Sequence, residues 1–436
     1  MSIAQARARE YTLAMPIKNF DPFDFKKKKI AGVNVYYKNL PWAPCIHIYF
    51  SFAAGAFTDP VGKEGTAHFL EHLLGNGSPL AQDKKAVKEY NRLYMLNTRN
   101  AYTSHYQTVC YCKCLPENFD KAFALINDNV FNPFIRPEDV EHERKVITQE
   151  SWGRYKNEKF LSYVKKFDAT LFKGHQRARI NSPLGWPNTI AKISHKDLKD
   201  FHTKHYNKEN LSIFLAGAIQ EKDLKIIEKI IENAPKGKKN IINVGSISKP
   251  TKLRNRINSA DIGDPQKQAT FSLSRTFDKK GTDKNWLRVQ IRMFLYDVLF
   301  ERLRIEHSLS YGVRIMFSNY KDYVQTEISV DTSVEKIPLV EKEIWKVLKE
   351  IDENKWQARF ETMHKLTVDQ IKSTETDTHD IIDGASVSII NENRIRTLKE
   401  RISEVQKISY GDIKKELKYI FNPKYTHTEI ILPDNK

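Results

Sequence analysis

Two histidines and a glutamate within five residues could hold a metal ion and carry out hydrolysis. The segment 68–72 reads His-Phe-Leu-Glu-His, so His68 and His72 stand four residues apart. On a helix these positions share one face, which lets both imidazoles bind one ion, and Glu71 lies beside them. The order is the inverse of the commoner zincin motif and has the same mechanics. We therefore predict that His68 and His72 bind zinc and that Glu71 activates the water that attacks a peptide bond.

A catalytic zinc ion usually has three protein ligands and one open position, so a third donor is needed. Pro137 stands where the first turn of a helix tolerates proline, and the helix predicted after it carries Glu143 and Glu150 on one face. We predict Glu150 as the third zinc ligand and Glu143 as the residue that orients a ligating imidazole. Spacing alone leaves a second interpretation open, in which both are surface glutamates on an exposed helix.

An internal repeat divides the chain into two units. The segments 193–199 and 408–414 both place serine three residues before aspartate, an arrangement that resembles a capping box at the start of a helix. In each copy an aromatic residue and an asparagine follow, and then a predicted strand, at 211–217 in the first copy and 428–432 in the second. The chain therefore contains two copies of one structural unit.

Each unit opens with strands and is richer in helices afterwards, which is an α+β pattern. In the first unit a strand predicted at 45–54 precedes the helix that carries His68. In the second, a strand at 269–276 precedes a helix at 284–304. We predict two homologous α+β domains, each an antiparallel-rich sheet packed with helices. The predicted bounds are 1–235 for the zinc-binding domain, 236–252 for a linker and 253–436 for the second domain.

The composition argues against a membrane protein and against a disulfide-rich one. The longest apolar stretch, 46–57, is shorter than the roughly 20 residues of a membrane-spanning helix. The first 20 residues are charged without an apolar run, so we expect no secretory signal and a cytoplasmic protein, with an organellar matrix as the alternative. Cys110, Cys112 and Cys114 alternate along a predicted strand. We interpret them as reduced, buried thiols, because one strand makes a poor tetrahedral metal site.

The net charge of +17 could point to a different class of protein. Lysines are spread along the chain, without a helix-turn-helix, zinc-finger or RNA-binding signature. We interpret the charge as a solvated basic surface and predict no nucleic-acid binding. The alternative is a DNA- or RNA-binding protein in which the 68–72 motif is accidental. A basic chamber that prefers acidic peptides is a third possibility.

These residues together resemble the pitrilysin or insulinase (M16) family of zinc metallopeptidases, which includes the mitochondrial processing peptidase and single-repeat bacterial members. The family pattern is HxxEH followed by a glutamate at a spacing close to the 78 residues that separate His72 from Glu150. Gly-Thr-Ala at 65–67 is similar to the family's lead-in to the zinc helix. Asn-Ala-Tyr-Thr at 100–103 looks like the strand that its substrates join.

The resemblance implies that this chain is one half of a clamshell that closes around a chamber, where an endopeptidase site cleaves peptides or unfolded segments. Substrate would add as a strand beside Asn100 and Ala101. Arg304 and Tyr311 match a conserved pair of the family and would stabilise the oxyanion. In a homodimer they would act on the partner's zinc site, and a heterodimer with a related chain is the alternative.

A catalytically silent partner subunit is the alternative function within the same family. Such subunits usually lose the zinc motif, whereas residues 68–72 keep it whole in this chain. We therefore predict an active peptidase.

Overall fold

The computed structural model describes residues 20–248, 253–279, 284–372 and 377–434. The charged residues at 7–10 and the end of the predicted linker lie outside these ranges. The strands are β1 Lys26–Ile30, β2 Val33–Asn39, β3 Ile46–Phe52, β4 Asn100–Thr103, β5 Thr108–Cys114, β6 Leu211–Gly217, β7 Arg254–Asn258, β8 Ala269–Asp278, β9 Val313–Asn319, β10 Tyr323–Thr332 and β11 His427–Leu432.

The α-helices of the first unit are α1 Thr66–Leu73, α2 Lys84–Tyr94, α3 Phe119–Phe131, α4 Pro137–Tyr155, α5 Glu158–Leu171, α6 Pro187–Ile190, α7 His195–His205 and α8 Glu221–Ile231. Those of the second unit are α9 Asn285–Phe300, α10 Ile337–Asp352, α11 Gln357–Lys372, α12 Thr378–Glu392, α13 Leu398–Gln406 and α14 Tyr410–Ile420. Within the described ranges, none of these helices has the length and apolar character that a membrane span requires.

The strands form two sheets with the same internal order. The first sheet runs β1-β2-β6-β3-β5-β4 and the second runs β7-β11-β8-β10-β9. In each sheet one pair is parallel, β2 with β6 and β7 with β11, and the remaining pairs are antiparallel. Only β1 has no counterpart among the described strands of the second sheet. The prediction of two homologous α+β domains with antiparallel-rich sheets is therefore confirmed, while their exact bounds remain a prediction.

The capping boxes that revealed the repeat are present in both units. Ser194 caps α7 together with Asp197, and Ser409 caps α14 together with Asp412. In each box the serine hydroxyl accepts a backbone hydrogen bond and the aspartate returns one, which satisfies two free N–H groups at the helix start. Each helix then leads into the strand that pairs in parallel, β6 or β11.

The first sheet is buried on both faces. Alternate residues of β3, from Ile46 to Phe52, pack into the main apolar core with α1, α3, α7 and α8. Tyr49 points to the other face, where Ile382 and Ala385 of α12 cover it. The two units are therefore packed together through a helix that the second unit contributes. Cys110, Cys112 and Cys114 on β5 are free and buried, as predicted.

The helix predicted at 284–304 is present, but its last turn is not α-helical. The α-helix α9 ends at Phe300 and continues as a π-helical turn, Glu301–Glu306. Within this turn the buried Arg302 forms ion pairs with Glu343 at 3.1 Å and Glu350 at 2.7 Å, both on α10. These contacts between distant segments hold the wider turn, which helical periodicity could not reveal.

Candidate metal centre

The helix that carries the HxxEH motif is fixed at its start by a carboxylate from outside the helix. The residue before α1 is Gly65, which has a positive φ of 103° and no side chain with which to cap the helix. The buried Asp59 replaces this cap, because its carboxylate accepts hydrogen bonds from Gly65 N at 2.7 Å and Ala67 N at 2.8 Å. The direction in which α1 leaves the turn is thereby set.

The three predicted zinc ligands meet at one point between α1 and α4. Glu150 Oε2 lies 3.8 Å from His68 Nε2 and 3.7 Å from His72 Nε2. One donor atom from each residue falls within 4.8 Å of the others, and no other such group of histidines, cysteines and acids occurs among the described residues. The structure thus brings together two imidazoles from one helical turn and a carboxylate from a distant helix.

The donor set fits a zinc ion. Ligand atoms in a tetrahedral zinc site lie about 2 Å from the metal and therefore about 3.4 Å from one another. The separations of 3.7 and 3.8 Å are close to this spacing. Two histidines and one glutamate are also a common ligand set of catalytic zinc in peptidases, where a fourth position stays open.

His68 is buried and held in its neutral form. Burial, and then the neighbouring His72, lower the pKa of His68 to about 3. A neutral imidazole has the free lone pair that a metal ion needs. Its Nδ1 atom has no hydrogen-bond partner within the described ranges, so packing alone sets the orientation of this ring.

His72 is oriented by the predicted residue Glu143. Its Nδ1 lies 3.1 Å from Glu143 Oε2, so the ring donates its hydrogen there and keeps the lone pair of Nε2 for the metal. The other oxygen of Glu143 accepts a 2.8 Å bond from Lys84 Nζ. Burial raises the pKa of Glu143, but the hydrogen bonds from Lys84 and then His72 outweigh burial and hold this pKa below its usual range.

Glu71 lies in the same turn as the two histidines and contacts the edge strand β4. Its Oε2 accepts a 2.7 Å hydrogen bond from Thr103 Oγ1. Burial raises the pKa of Glu71, opposed first by the bond from Thr103 and then by His72. A half-buried carboxylate with a raised pKa has the properties of a general base near neutral pH.

The predicted substrate residues Asn100 and Ala101 lie on β4 at the edge of the first sheet. Within the described structure β4 pairs only with β5, where Ala101 is opposite Cys110. The other side of β4 is open to an added strand. Since Thr103 of the same strand contacts Glu71, a peptide bound here would run next to the metal centre.

Arg304 and Tyr311 lie together in the second unit and are not joined to the metal centre. Arg304 Nη1 donates a hydrogen bond to the carbonyl oxygen of Tyr311. The side chain of Tyr311 is highly exposed, with 81% of the residue accessible to solvent. Among the described residues, no hydrogen bond or ion pair connects this pair to His68, His72 or Glu150.

Sequence reasoning did not identify Asp59, Lys84 or Thr103 as part of the site. Thr103 belongs to the segment 100–103, and a signal was therefore available: the same strand that would bind substrate carries a hydroxyl. Asp59 and Lys84 had no such signal, because each acts across a turn or between helices that only the fold brings together.

The chain resembles known peptidases both in sequence and in fold. Residues 34–180 match the family model described as Insulinase (Peptidase family M16), and residues 192–362 match Peptidase M16 inactive domain. A protein of Rickettsia bellii named uncharacterized zinc protease is 27% identical over 341 residues, which cover 76% of this chain and 78% of that protein. The mitochondrial-processing peptidase subunit beta of Saccharomyces cerevisiae is 31% identical over 190 residues, 42% of this chain and 39% of that one.

A solved structure supports the fold. The first half of the periplasmic protease PqqL from Escherichia coli superposes with a TM-score of 0.76 at 17% identity, covering 94% of this chain and 92% of that one. This likeness establishes that the two units have the architecture of one clamshell half. The two family matches follow each other along most of the sequence, and the first includes the complete zinc motif. The chain therefore belongs to the insulinase family of zinc peptidases, peptidase family M16.

Proposed function

We propose that this protein is a zinc metalloendopeptidase that hydrolyses peptides or unfolded segments inside an enclosed chamber. The observation that carries the proposal is the convergence of His68, His72 and Glu150, with the Glu71 carboxylate in the same helical turn. The names of the relatives, which include zinc proteases, support it. No observation favours the catalytically silent subunit.

The zinc ligands and Glu71 have different roles in the proposed reaction. Zinc held by the three ligands would act as a Lewis acid and lower the pKa of a coordinated water toward neutrality. Glu71 takes the proton of the attacking water and later passes it to the leaving amine. Thr103 donates a hydrogen bond to Oε2 of Glu71. The Oε1 atom has no hydrogen-bond partner among the described residues and is available to accept the proton.

The edge strand β4 is the proposed substrate platform. A peptide that adds to β4 is bound through its main chain, which orients the scissile bond and leaves the choice of side chains broad. The Thr103–Glu71 hydrogen bond fixes the distance between this platform and the general base. Most extended segments of a folded protein are already paired within its own sheets, which favours peptides and unfolded segments as substrates.

The proposal is tested by metal analysis combined with a quenched-peptide assay. We expect about one zinc ion per chain, peptide cleavage by the purified protein, loss of cleavage with a chelator, and recovery when zinc is added back. Cleavage that persists in zinc-free protein would contradict the proposal, as would protein that binds no zinc at micromolar concentration. A mock purification from cells without the gene controls for contaminating peptidases.

We further propose a homodimer in which Arg304 and Tyr311 complete the partner's site. The pair is exposed, and no hydrogen bond or ion pair between described residues links it to the centre of its own chain, which supports a role toward a second chain. Two inactive variants test this: Glu71→Gln, and a chain with both Arg304→Met and Tyr311→Phe. When the two are mixed and exchange subunits, about a quarter of the parental activity should return, since half of the dimers are mixed and one of their two sites is complete.

Mixing should recover no activity if the pair acts within its own chain. Each variant mixed with itself is the control, and light scattering measures the dimer. A monomer, or a dimer without recovery of activity, would contradict the proposal.

A cytoplasmic location also stays a prediction, which fractionation of the native cells would test.

A further inference from the structure

The carboxylate of Glu143 is shared between the metal centre and the protein surface. Its Oε2 lies 3.1 Å from His72 Nδ1 and its Oε1 lies 2.8 Å from Lys84 Nζ. The side chain of Glu143 is only 4% exposed, whereas that of Lys84 is 67% exposed. Among the described residues, the Glu143 carboxylate has no other hydrogen bond or ion pair.

Lys84 occupies a position where a helix disfavours a cation. It is the first residue of α2, directly after the capping residue Asp83, and the first turn contains Lys84 and Lys85 without an acidic residue. The helix dipole places partial positive charge at this end and favours acidic residues there. Lys84 therefore gains no stabilisation from the helix dipole, whereas it does gain a charged contact with Glu143.

The start of α2 is fixed in place by side-chain and backbone hydrogen bonds. Arg136 Nη2 donates a 2.6 Å hydrogen bond to the carbonyl oxygen of Gln82. Asp83 accepts a 2.7 Å bond from Ala86 N and so caps the helix. The loop before α2 is closed by a short bridge between Ser78 and Ala81. Lys84 thus extends from an anchored turn, so its contact with Glu143 does not have to order the backbone as well.

The charge of Lys84 matters because Glu143 is buried. An ionised carboxylate is costly to bury unless a cation and hydrogen bonds compensate it. An ionised Glu143 is the strong acceptor that keeps the hydrogen of His72 on Nδ1 and turns Nε2 toward the metal. His68 has no partner at its Nδ1 within the described ranges, so Glu143 makes the only hydrogen bond to an Nδ1 atom of the imidazole pair there.

We propose that Lys84 is a positioning residue of the metal centre, which acts through Glu143 to hold His72 in the orientation that binds zinc. The inference rests on the proposed zinc-peptidase function. The residues that position the zinc ligands would then include, besides the buried Glu143 carboxylate, the ammonium group of Lys84 on a different helix.

Zinc affinity, measured by competition with a chromophoric chelator, tests the proposal without depending on catalysis. Lys84→Met should bind zinc about tenfold more weakly. This is the lower end of the loss in affinity that follows removal of a residue that positions a metal ligand. Lys84→Arg should keep most of the affinity. The matched control is Lys85→Met, which removes the same charge from the same helical turn at an exposed residue without an ion pair among those described. It should bind zinc like the parent protein.

A double-variant cycle tests whether Lys84 acts through Glu143. In a Glu143→Gln background, Lys84→Met should cause no further loss of zinc affinity. Thermal unfolding of the zinc-free proteins separates the effect from loss of folding, and Lys84→Gln repeats the test with another side chain. If the parent protein binds no zinc, the proposed function fails. If the parent binds zinc and Lys84→Met matches Lys85→Met, the role of Lys84 is refuted.

Discussion

Glu71→Gln is expected to lower peptide hydrolysis by about 10³-fold while zinc remains bound. The amide has the size of the carboxylate and can still accept the hydrogen bond from Thr103, so the local structure should persist. It cannot take up a proton from water, and the general base is lost. Metal analysis and the quenched-peptide assay on the same preparation would show the two effects separately.

A suitable control is Glu138→Gln, which makes the same chemical change at an exposed position of α4. This variant should cleave peptides at the parental rate. Cleavage by Glu71→Gln at the parental rate would mean that another group is the base. Loss of zinc from Glu71→Gln would instead place Glu71 among the residues that hold the metal.

His72→Ala is expected to lose both zinc and activity. Removing this ring takes away a ligand and also leaves the buried Glu143 carboxylate without one of its two partners. Zinc affinity should therefore fall by more than the roughly 100-fold that loss of an outer partner can cost. Chelator competition measures the affinity, and the peptide assay at saturating zinc measures what activity remains.

His142→Ala controls for the loss of a histidine from the same region. His142 is exposed on α4, one residue before Glu143, and takes no part in the ligand cluster. It should bind one zinc ion with parental affinity. If His72→Ala retained tight zinc binding, the metal would have to be held by a different set of residues.

The ligand geometry could be predicted because much of it is local. The spacing of His68 and His72 is a property of one helical turn, and the helical face shared by Glu143 and Glu150 is a property of another. Neither pattern predicts that the two helices meet. That expectation came from the family resemblance. The repeat was readable for the same reason, since a capping box is encoded within four residues.

The support of the site beyond Glu143 could not be predicted, because it depends on contacts between distant segments. Lys84 lies 59 residues before Glu143 and looks like an ordinary surface lysine in sequence. The π-helical turn after α9 likewise depends on Arg302 reaching two glutamates of α10. Sequence patterns report which face of an element is apolar, whereas these contacts arise from how the elements pack.

The contacts of α12 with the first sheet limit which fragments of this protein can be stable. Tyr49 on the central strand β3 contacts His379 Nδ1 at 2.6 Å, and Tyr102 on β4 donates a 3.0 Å hydrogen bond to Asp383. A fragment cut after the first unit would expose the apolar sheet face that α12 covers and would free the strand that lies beside the base. The second unit therefore stabilises, through α12, the sheet of the first unit that carries the candidate metal ligands and the strand beside the base.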